Sequence, residues 1–197
     1  MAISANDVKS LREKTGAGMM DCKKALEETA GDPERAVAYL REKGIAKAAS
    51  KAGRVTKEGL IYAYIHPGDK LGVMVEVNCE TDFVARTDEF RGFVKDIAMH
   101  VAASDPVAIS REEIDPALVE SEKQIYRTQA INEGKPEKIL DKIVDGKLDK
   151  FFAESCLLEQ AFVKNPERTV NQLLQALVAK LGENIMIKRF ERFRLGE

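Results

Sequence analysis

Between residues 60 and 101 the apolar positions change period. Val73, Val75 and Val77 alternate with Met74, Glu76 and Asn78, the period of two that a half-buried strand requires. Shortly afterwards Phe90, Phe93, Val94, Ile97, Ala98 and Val101 recur at the i, i+3, i+4, i+7 spacing of a buried helical stripe. Leu60 to Ile65 reads as a second strand, joined to Leu71 to Asn78 by His66-Pro67-Gly68-Asp69, whose Pro-Gly pair suits the centre of a type II turn. The pattern predicts a hairpin, then a helix, with Asn78 to Arg86 connecting them. A short connection between two rigid elements fixes the direction of its side chains, which suits binding residues. It carries Phe83, and the residues alone leave open whether that ring tucks into the local core or stands out as an anchor.

Upstream, Ser4 and Asp7 have capping-box spacing, Val8 and Leu11 share a face, and Gly16 can end a helix running from about Ala5 to Lys14. Met19 to Leu26 comes next as a second helix. Gly31-Asp32-Pro33 then supplies a turn, an N-cap and an N1 proline for a third, which buries Ala36, Val37 and Leu40 and is expected to stop at Gly44. Three short helices make a minimal bundle. Adjacent Met19 and Met20 cannot both face inward on one turn, so one of them is expected at the surface unless it fills a gap in the core.

Downstream the chain reads helical. Ser110 with Glu113 and Asp115-Pro116 are start signals, Gly134 ends a helix, and Pro136 opens another expected to reach Gly146. Phe151, Phe152, Leu157 and Leu158 are expected in the core, and Asn165-Pro166 should break the chain. Thr169 to Gly182 reads as a helix with Leu173, Leu174, Leu177, Val178 and Leu181. Asn184 to Leu195 alternates imperfectly, as a strand with a bulge near Arg189 would, and joins the hairpin. The fold class expected is α+β: a three-helix amino-terminal bundle, then a core with a small antiparallel sheet and helices packed on one face. A shift in composition near Gly53 places the domain boundary between residues 1–53 and 54–197. Three short strands leave edges that invite pairing with a second copy.

Composition narrows the chemistry. In 197 residues, Lys+Arg 31 against Asp+Glu 33 leave a net charge of -2, so no global field drives binding to nucleic acid or membrane. One local exception is Lys43, Lys47, Lys51, Arg54 and Lys57, a basic run that reads either as a solvated linker face or as a surface for phosphate or an acidic protein. An RNA-binding protein using that run is the competing function, weakened because no aromatic side chains interleave to stack bases. Cys22, Cys79 and Cys156 are odd in number and far apart, which argues against a disulfide framework and a structural zinc and for the reducing cytoplasm. Met1 to Asp7 lacks the features of a signal peptide, and no apolar run reaches membrane-spanning length. Glu76, Glu80, Asp82, Asp88 and Glu89 lack calcium-loop spacing and read as solvated acids, so neither metal nor cofactor is expected. His66 and His100 have no second ligand or base close in sequence and read as structural. A thiol enzyme built on Cys79 or Cys22 is a weak reading, since Glu80 should raise the Cys79 pKa, and no other nucleophile, P-loop or dinucleotide motif is present. The chain is therefore not expected to be an enzyme.

Two long stretches carry a resemblance. Leu11-Arg12-Glu13-Lys14-Thr15-Gly16-Ala17-Gly18-Met19-Met20-Asp21-Cys22-Lys23-Lys24-Ala25-Leu26 and Glu76-Val77-Asn78-Cys79-Glu80-Thr81-Asp82-Phe83-Val84-Ala85-Arg86 are similar, in that order, to the two signatures of the elongation factor Ts family. Glu154 to Val170 is similar as well, with Ala161 where proline is commoner. The resemblance spans nearly the whole chain and implies a ubiquitin-associated-like bundle, a core domain with an antiparallel sheet, and a role as guanine-nucleotide exchange factor for the GTPase elongation factor Tu. It implies that Thr81, Asp82, Phe83 and Val84 reach the GTPase beside its magnesium ion and help displace it, and that Arg12, Met19 and Met20 contact a helix of the GTPase domain. Short members of the family resemble this chain and form homodimers, so a dimer is implied too. One departure is Thr87, where asparagine is common, which could cap the next helix differently.

Overall fold

The computed structural model describes residues 3–197, so Met1 and Ala2 of the amino-terminal stretch lie outside the described residues. Local signals act as expected in the bundle. Helix α1 (Ala5–Thr15) starts with the reciprocal Ser4–Asp7 box and ends at Gly16 in the left-handed region, φ 69°. Ser4 hydrogen bonds hold the Asp7 carboxyl below the usual carboxylate range. Helix α2 (Met19–Glu28) is next, and α3 (Pro33–Ala49) is capped by Asp32, whose carboxylate accepts from the N–H groups of Glu34 and Arg35. Val8, Leu11, Cys22, Ala25, Leu26 and Ala36 form the bundle core, with Val37, Tyr39 and Leu40 packed against it.

The expected stop at Gly44 is overturned: α3 continues to Ala49. Glycine inside a helix costs about 1 kcal/mol relative to alanine, and the alanines at 46, 48 and 49 favour continuation. The first part of the basic run is therefore helical.

Strands β1 (Glu58–Ile65) and β2 (Leu71–Cys79) form the hairpin, and β5 (Ile185–Arg194) completes a three-stranded antiparallel sheet in the order β1-β2-β5. The turn between β1 and β2 closes with the Asp69 N–H on the His66 carbonyl at 3.0 Å, and Gly68 supplies the positive φ, 98°, that a type II turn needs. Val73, Val75 and Val77 are buried and Met74 is exposed, as the alternation requires. In β5 inward positions shift from Ile185 and Ile187 to Phe190 and Arg192, with Lys188 and Arg189 both exposed between them. Helix α5 (Asp88–Ser104) buries Phe90, Val94, Ile97, Ala98 and Val101 completely.

Beyond α5 several expectations need correction. Ser110 and Glu113 open only a single 3-10 turn, Arg111–Glu113, before α6 (Pro116–Asn132) begins under an Asp115 cap. Helix α7 (Glu137–Ser155) passes straight through Gly146 and includes Phe151 and Phe152, because Leu140, Val144 and Leu148 keep one buried face along it. Phe151 and Phe152 are only half-buried, whereas Leu157 is fully buried. Asn165-Pro166 does not interrupt the chain but starts β4 (Asn165–Thr169), antiparallel to the short β3 (Ala161–Phe162). Helix α8 (Val170–Leu181) ends at Gly182, φ 81°. His100 is structural: fully buried, it meets Gln160 Oε1 at 2.8 Å through Nε2 and accepts the Val163 N–H at 3.3 Å through Nδ1. Burial holds its pKa below the ordinary histidine value.

The residues group into two compact units. One takes the chain through Leu60 with Val77–Gly92 and Gln172–Met186, and the other comprises Ile61–Glu76, Phe93–Asn171 and Ile187–Glu197.

Candidate functional site

The connection after β2 is not a plain loop. Asp82–Ala85 forms a one-turn helix, α4, whose N-cap Thr81 accepts the Val84 N–H through its hydroxyl at 3.5 Å. That turn divides its side chains by direction: Val84 and Ala85 are buried, Thr81 and Asp82 are half-buried, and Phe83 is 80% exposed. An 80%-exposed ring contributes little to its own chain's core, so of the two openings left by the sequence the ring stands out from the core rather than tucking into it. Asp82 pairs with Arg86 at 2.8 Å. The Thr87 hydroxyl donates to the Val84 carbonyl at 2.8 Å and accepts the Phe90 N–H at 3.2 Å. Threonine in place of the commoner asparagine thus still caps α5.

The backbone under Phe83 is fastened from far along the chain. Glu183, in the turn between α8 and β5, accepts the N–H groups of Glu80 at 3.1 Å and Thr81 at 3.0 Å on one carboxylate oxygen, and the Thr81 hydroxyl at 2.6 Å on the other. Glu80 returns the contact, accepting the Asn184 N–H at 2.6 Å and facing Arg54 Nη1 at 3.5 Å. The buried Asn184 amide donates to the carbonyls of Ala52 and Arg54. Sequence reading misses Glu183 and Asn184. Their only local signal is a polar pair directly after the Gly182 helix stop.

Other acids of this region that read as solvated in the sequence are instead paired, Glu76 with Arg189 at 2.7 Å and Glu89 with Lys180 at 3.3 Å. Among the described residues no group of three or more His, Cys, Asp or Glu side chains is placed to hold a metal ion. Cys79 is buried and donates to the Thr81 carbonyl at 3.2 Å. Its thiol is pushed up to about 11, first by burial and then by the Glu183 carboxylate, not by Glu80 as the sequence suggests. Such a thiol is a poor nucleophile at neutral pH.

The amino-terminal candidates lie at the surface of the bundle. Arg12 is exposed, and Met19 and Met20 are both outside the core at 46% and 76% exposed, at the start of a helix whose Gly18 N-cap makes no side-chain hydrogen bond. The basic run is largely engaged with its own chain: Lys43 lies 4.7 Å from the Tyr39 ring centre, Lys47 pairs with Asp21 at 2.9 Å, Lys51 donates to the Gly182 carbonyl, and Arg54 faces Glu80. No helix among the described residues is long and apolar enough to cross a membrane.

The family model described as "Elongation factor TS" matches residues 2–197. The chain is 60% identical over 195 residues to the elongation factor Ts of Thermoanaerobacter pseudethanolicus, covering 99% of this chain and 96% of that protein. It is 60% identical over 195 residues to the elongation factor Ts of Heliobacterium modesticaldum, with 99% and 91% covered. That of Geotalea daltonii is 57% identical over 197 residues, with 100% and 91% covered.

Proposed function

The chain belongs to the elongation factor Ts family of translation elongation factors, and from that premise we propose that it binds GDP-loaded elongation factor Tu, displaces the magnesium ion and promotes GDP release so that GTP can enter. The observation that carries this reading is Phe83, 80% exposed on a turn whose neighbours Val84 and Ala85 are buried. It has the form of a rigid apolar wedge. Nucleotide in such a GTPase is held by a P-loop, a lysine and a magnesium ion that bridges the phosphates. Displacing the ion leaves phosphate charge poorly neutralised, so the nucleotide leaves faster without any covalent step. The chain therefore works as an exchange factor rather than an enzyme.

In this scheme Thr81 and Val84 hold the wedge, Phe83 inserts, and Asp82 disturbs the ion's shell after releasing Arg86, its partner in the free chain. Arg12, Met19 and Met20 dock on a helix of the GTPase, and flexible, polarizable methionines suit that contact. Residues 1–53 serve as the docking domain and 54–197 as the core that carries the wedge and the dimer surface. Reciprocity constrains the cycle: a factor that weakens nucleotide binding is itself bound more weakly by the nucleotide-loaded GTPase, in the same ratio.

We also propose a homodimer in the cytoplasm. Ala63, Ile65, Gly72, Met74, Phe193 and Leu195 line a shallow concavity, and Ile65, Met74, Phe193 and Leu195 are at least half exposed at 59%, 50%, 68% and 77%. Exposed apolar side chains gathered on one face suit contact with a second copy. Sedimentation should give twice the chain mass, and Met74→Lys should lower it. A monomeric wild type at micromolar concentration would refute the dimer.

For the function, the test is release of fluorescent GDP from the cognate elongation factor Tu chased with unlabelled GDP. Wild type should accelerate release in substoichiometric amounts, and Phe83→Ala should do so far more weakly. No acceleration by the folded wild type would overturn the reading.

A further inference from the structure

We propose that Glu183 is the positioning residue of the exchange reaction, the group through which the α8–β5 turn holds Phe83 in its exposed orientation. This rests on the reading that Phe83 drives nucleotide release.

A one-turn helix can do little to hold itself. Four residues provide almost no cooperative helical stability, and α4 is no longer than Asp82–Ala85. Its Thr81 cap contact is long, at 3.5 Å. Left to local forces the turn would fray, and an exposed ring on a fraying turn points in many directions. Glu183 supplies the missing restraint. A single carboxylate receives two consecutive backbone N–H groups and one hydroxyl, at 3.1, 3.0 and 2.6 Å. Hydrogen bonds to an ionised acceptor are the stronger class, roughly twice as strong as those between neutral groups. The carboxylate also occupies the Thr81 hydroxyl, which fixes the rotamer of the residue that caps α4.

Glu183 is itself held in place. Gly182 closes α8 in the left-handed region with its N–H on the Val178 carbonyl at 2.9 Å. Asn184, next in sequence, is pinned through its backbone N–H to Glu80 and through its side chain to the carbonyls of Ala52 and Arg54. Two acidic side chains thus reach across in opposite directions, each accepting backbone N–H groups of the other's segment. That arrangement restrains the turn in direction as well as in distance. Glu183 touches neither nucleotide nor metal in this scheme and acts only through the wedge.

The test separates positioning from general stability and from the function itself. GDP release from the cognate elongation factor Tu is followed across a concentration series with wild type, Glu183→Ala, Glu183→Gln, Phe83→Ala and the Glu183→Ala/Phe83→Ala double variant, with melting temperatures measured alongside. Glu183→Ala should lower the maximal release rate about tenfold, as loss of placement does, and leave the half-saturating concentration within about twofold, since the bundle contacts are intact. The double variant should be no slower than Phe83→Ala alone, because the two residues act in series. Glu183→Gln keeps one accepting oxygen and should recover part of the loss, while amide hydrogen exchange at Glu80 and Thr81 should rise in the order wild type, Gln, Ala. A folded Glu183→Ala that releases GDP at the wild-type rate overturns the proposal, as does a defect that adds in full to that of Phe83→Ala. A defect that tracks melting temperature across Ala and Gln, with unchanged exchange at Glu80 and Thr81 under native conditions, overturns it as well. Failure of wild type to accelerate release removes the functional reading and this proposal with it, whereas acceleration indifferent to Glu183 removes this proposal alone.

Discussion

Two of the surfaces that carry exposed apolar side chains are built in opposite ways. The wedge turn holds Phe83 on a backbone fastened by Glu183 and seated on buried Val84 and Ala85. The start of α2 holds Met19 and Met20 beside Gly16 and Gly18, under an N-cap with no side-chain hydrogen bond. One has a stiff ring on a restrained backbone, the other flexible side chains on a lightly capped helix end. Prising elements apart requires a probe that does not yield, because a compliant one relaxes before it transmits strain. Flexible, polarizable side chains suit a surface that must adapt to a partner. The difference in construction thus matches the proposed division of labour between release and docking.

Glycines give the largest expected contrast. Gly59, at φ 151°, lies against the root of the wedge turn: an added Cβ would stand 2.2 Å from the Val77 carbonyl oxygen and 2.8 Å from Asn78 Cα. Those are backbone atoms with little room to yield. Gly59→Ala should destabilise the chain by about 3 kcal/mol and lower its melting temperature by about 6 to 12 °C. Gly18 has an ordinary φ of -62° and only the Asp21 carboxylate, 3.5 Å away, near an added Cβ. Gly18→Ala should stay within about 1 kcal/mol of wild type. Equal losses at the two positions, read by thermal unfolding, would break the contrast.

At the exposed side chains themselves the contrast moves from stability to kinetics. Phe83→Ala should leave stability within about 0.5 kcal/mol, because the ring is outside the core, yet slow maximal GDP release about 30-fold, equivalent to about 2 kcal/mol at a hot spot. Met20→Ala should raise the half-saturating concentration about fivefold, near 1 kcal/mol, with maximal release within about twofold of wild type. A concentration series of release rates reads both quantities in one experiment. A larger loss of maximal rate from Met20→Ala than from Phe83→Ala would reverse the assignment of roles.

Short-range patterns explain why so much of the fold is legible in the sequence. The alternation around Val75, the stripe through Val94 and the Ser4, Asp32 and Asp115 caps each depend on residues at most a few turns apart. Errors arise where a local signal meets a longer-range interest. Gly44 and Gly146 look like stops, but a cost of about 1 kcal/mol is outweighed where alanines or a continuing buried face such as Val144 and Leu148 favour helix. Phe83 and the methionines are visible as candidates. The fastening of the wedge is not, because Glu183 lies 102 residues from Thr81 and a lone glutamate carries no periodicity. Whether Phe83 faces in or out is equally undecidable without α4, which is too short to leave a pattern.

Cys79 offers the finest comparison, since its substitution should change the pH dependence of the wedge turn and nothing in the methionine surface. Its thiol ordinarily ionises at 9.0 and is pushed up to about 11 in the fold by burial and the Glu183 carboxylate. With the folded value raised, the stabilising contribution is fully present below pH 9, where both states keep the proton. As pH rises from 9 toward 11 the unfolded chain loses its proton while the folded one retains it, so this contribution declines. Lysines and tyrosines titrate in the same range, so the informative quantity is the stability difference between wild type and Cys79→Ala in urea at pH 7.5, 9.0 and 10.5. That difference should be largest at pH 7.5, where the alanine loses packing and the hydrogen bond to Thr81, and should shrink at pH 10.5. A constant difference would mean that the thiol ionises as easily in the folded chain as in the unfolded one, which requires solvent at the base of the turn. The stiffness assigned to the wedge would then be lost, and its contrast with the methionine surface with it.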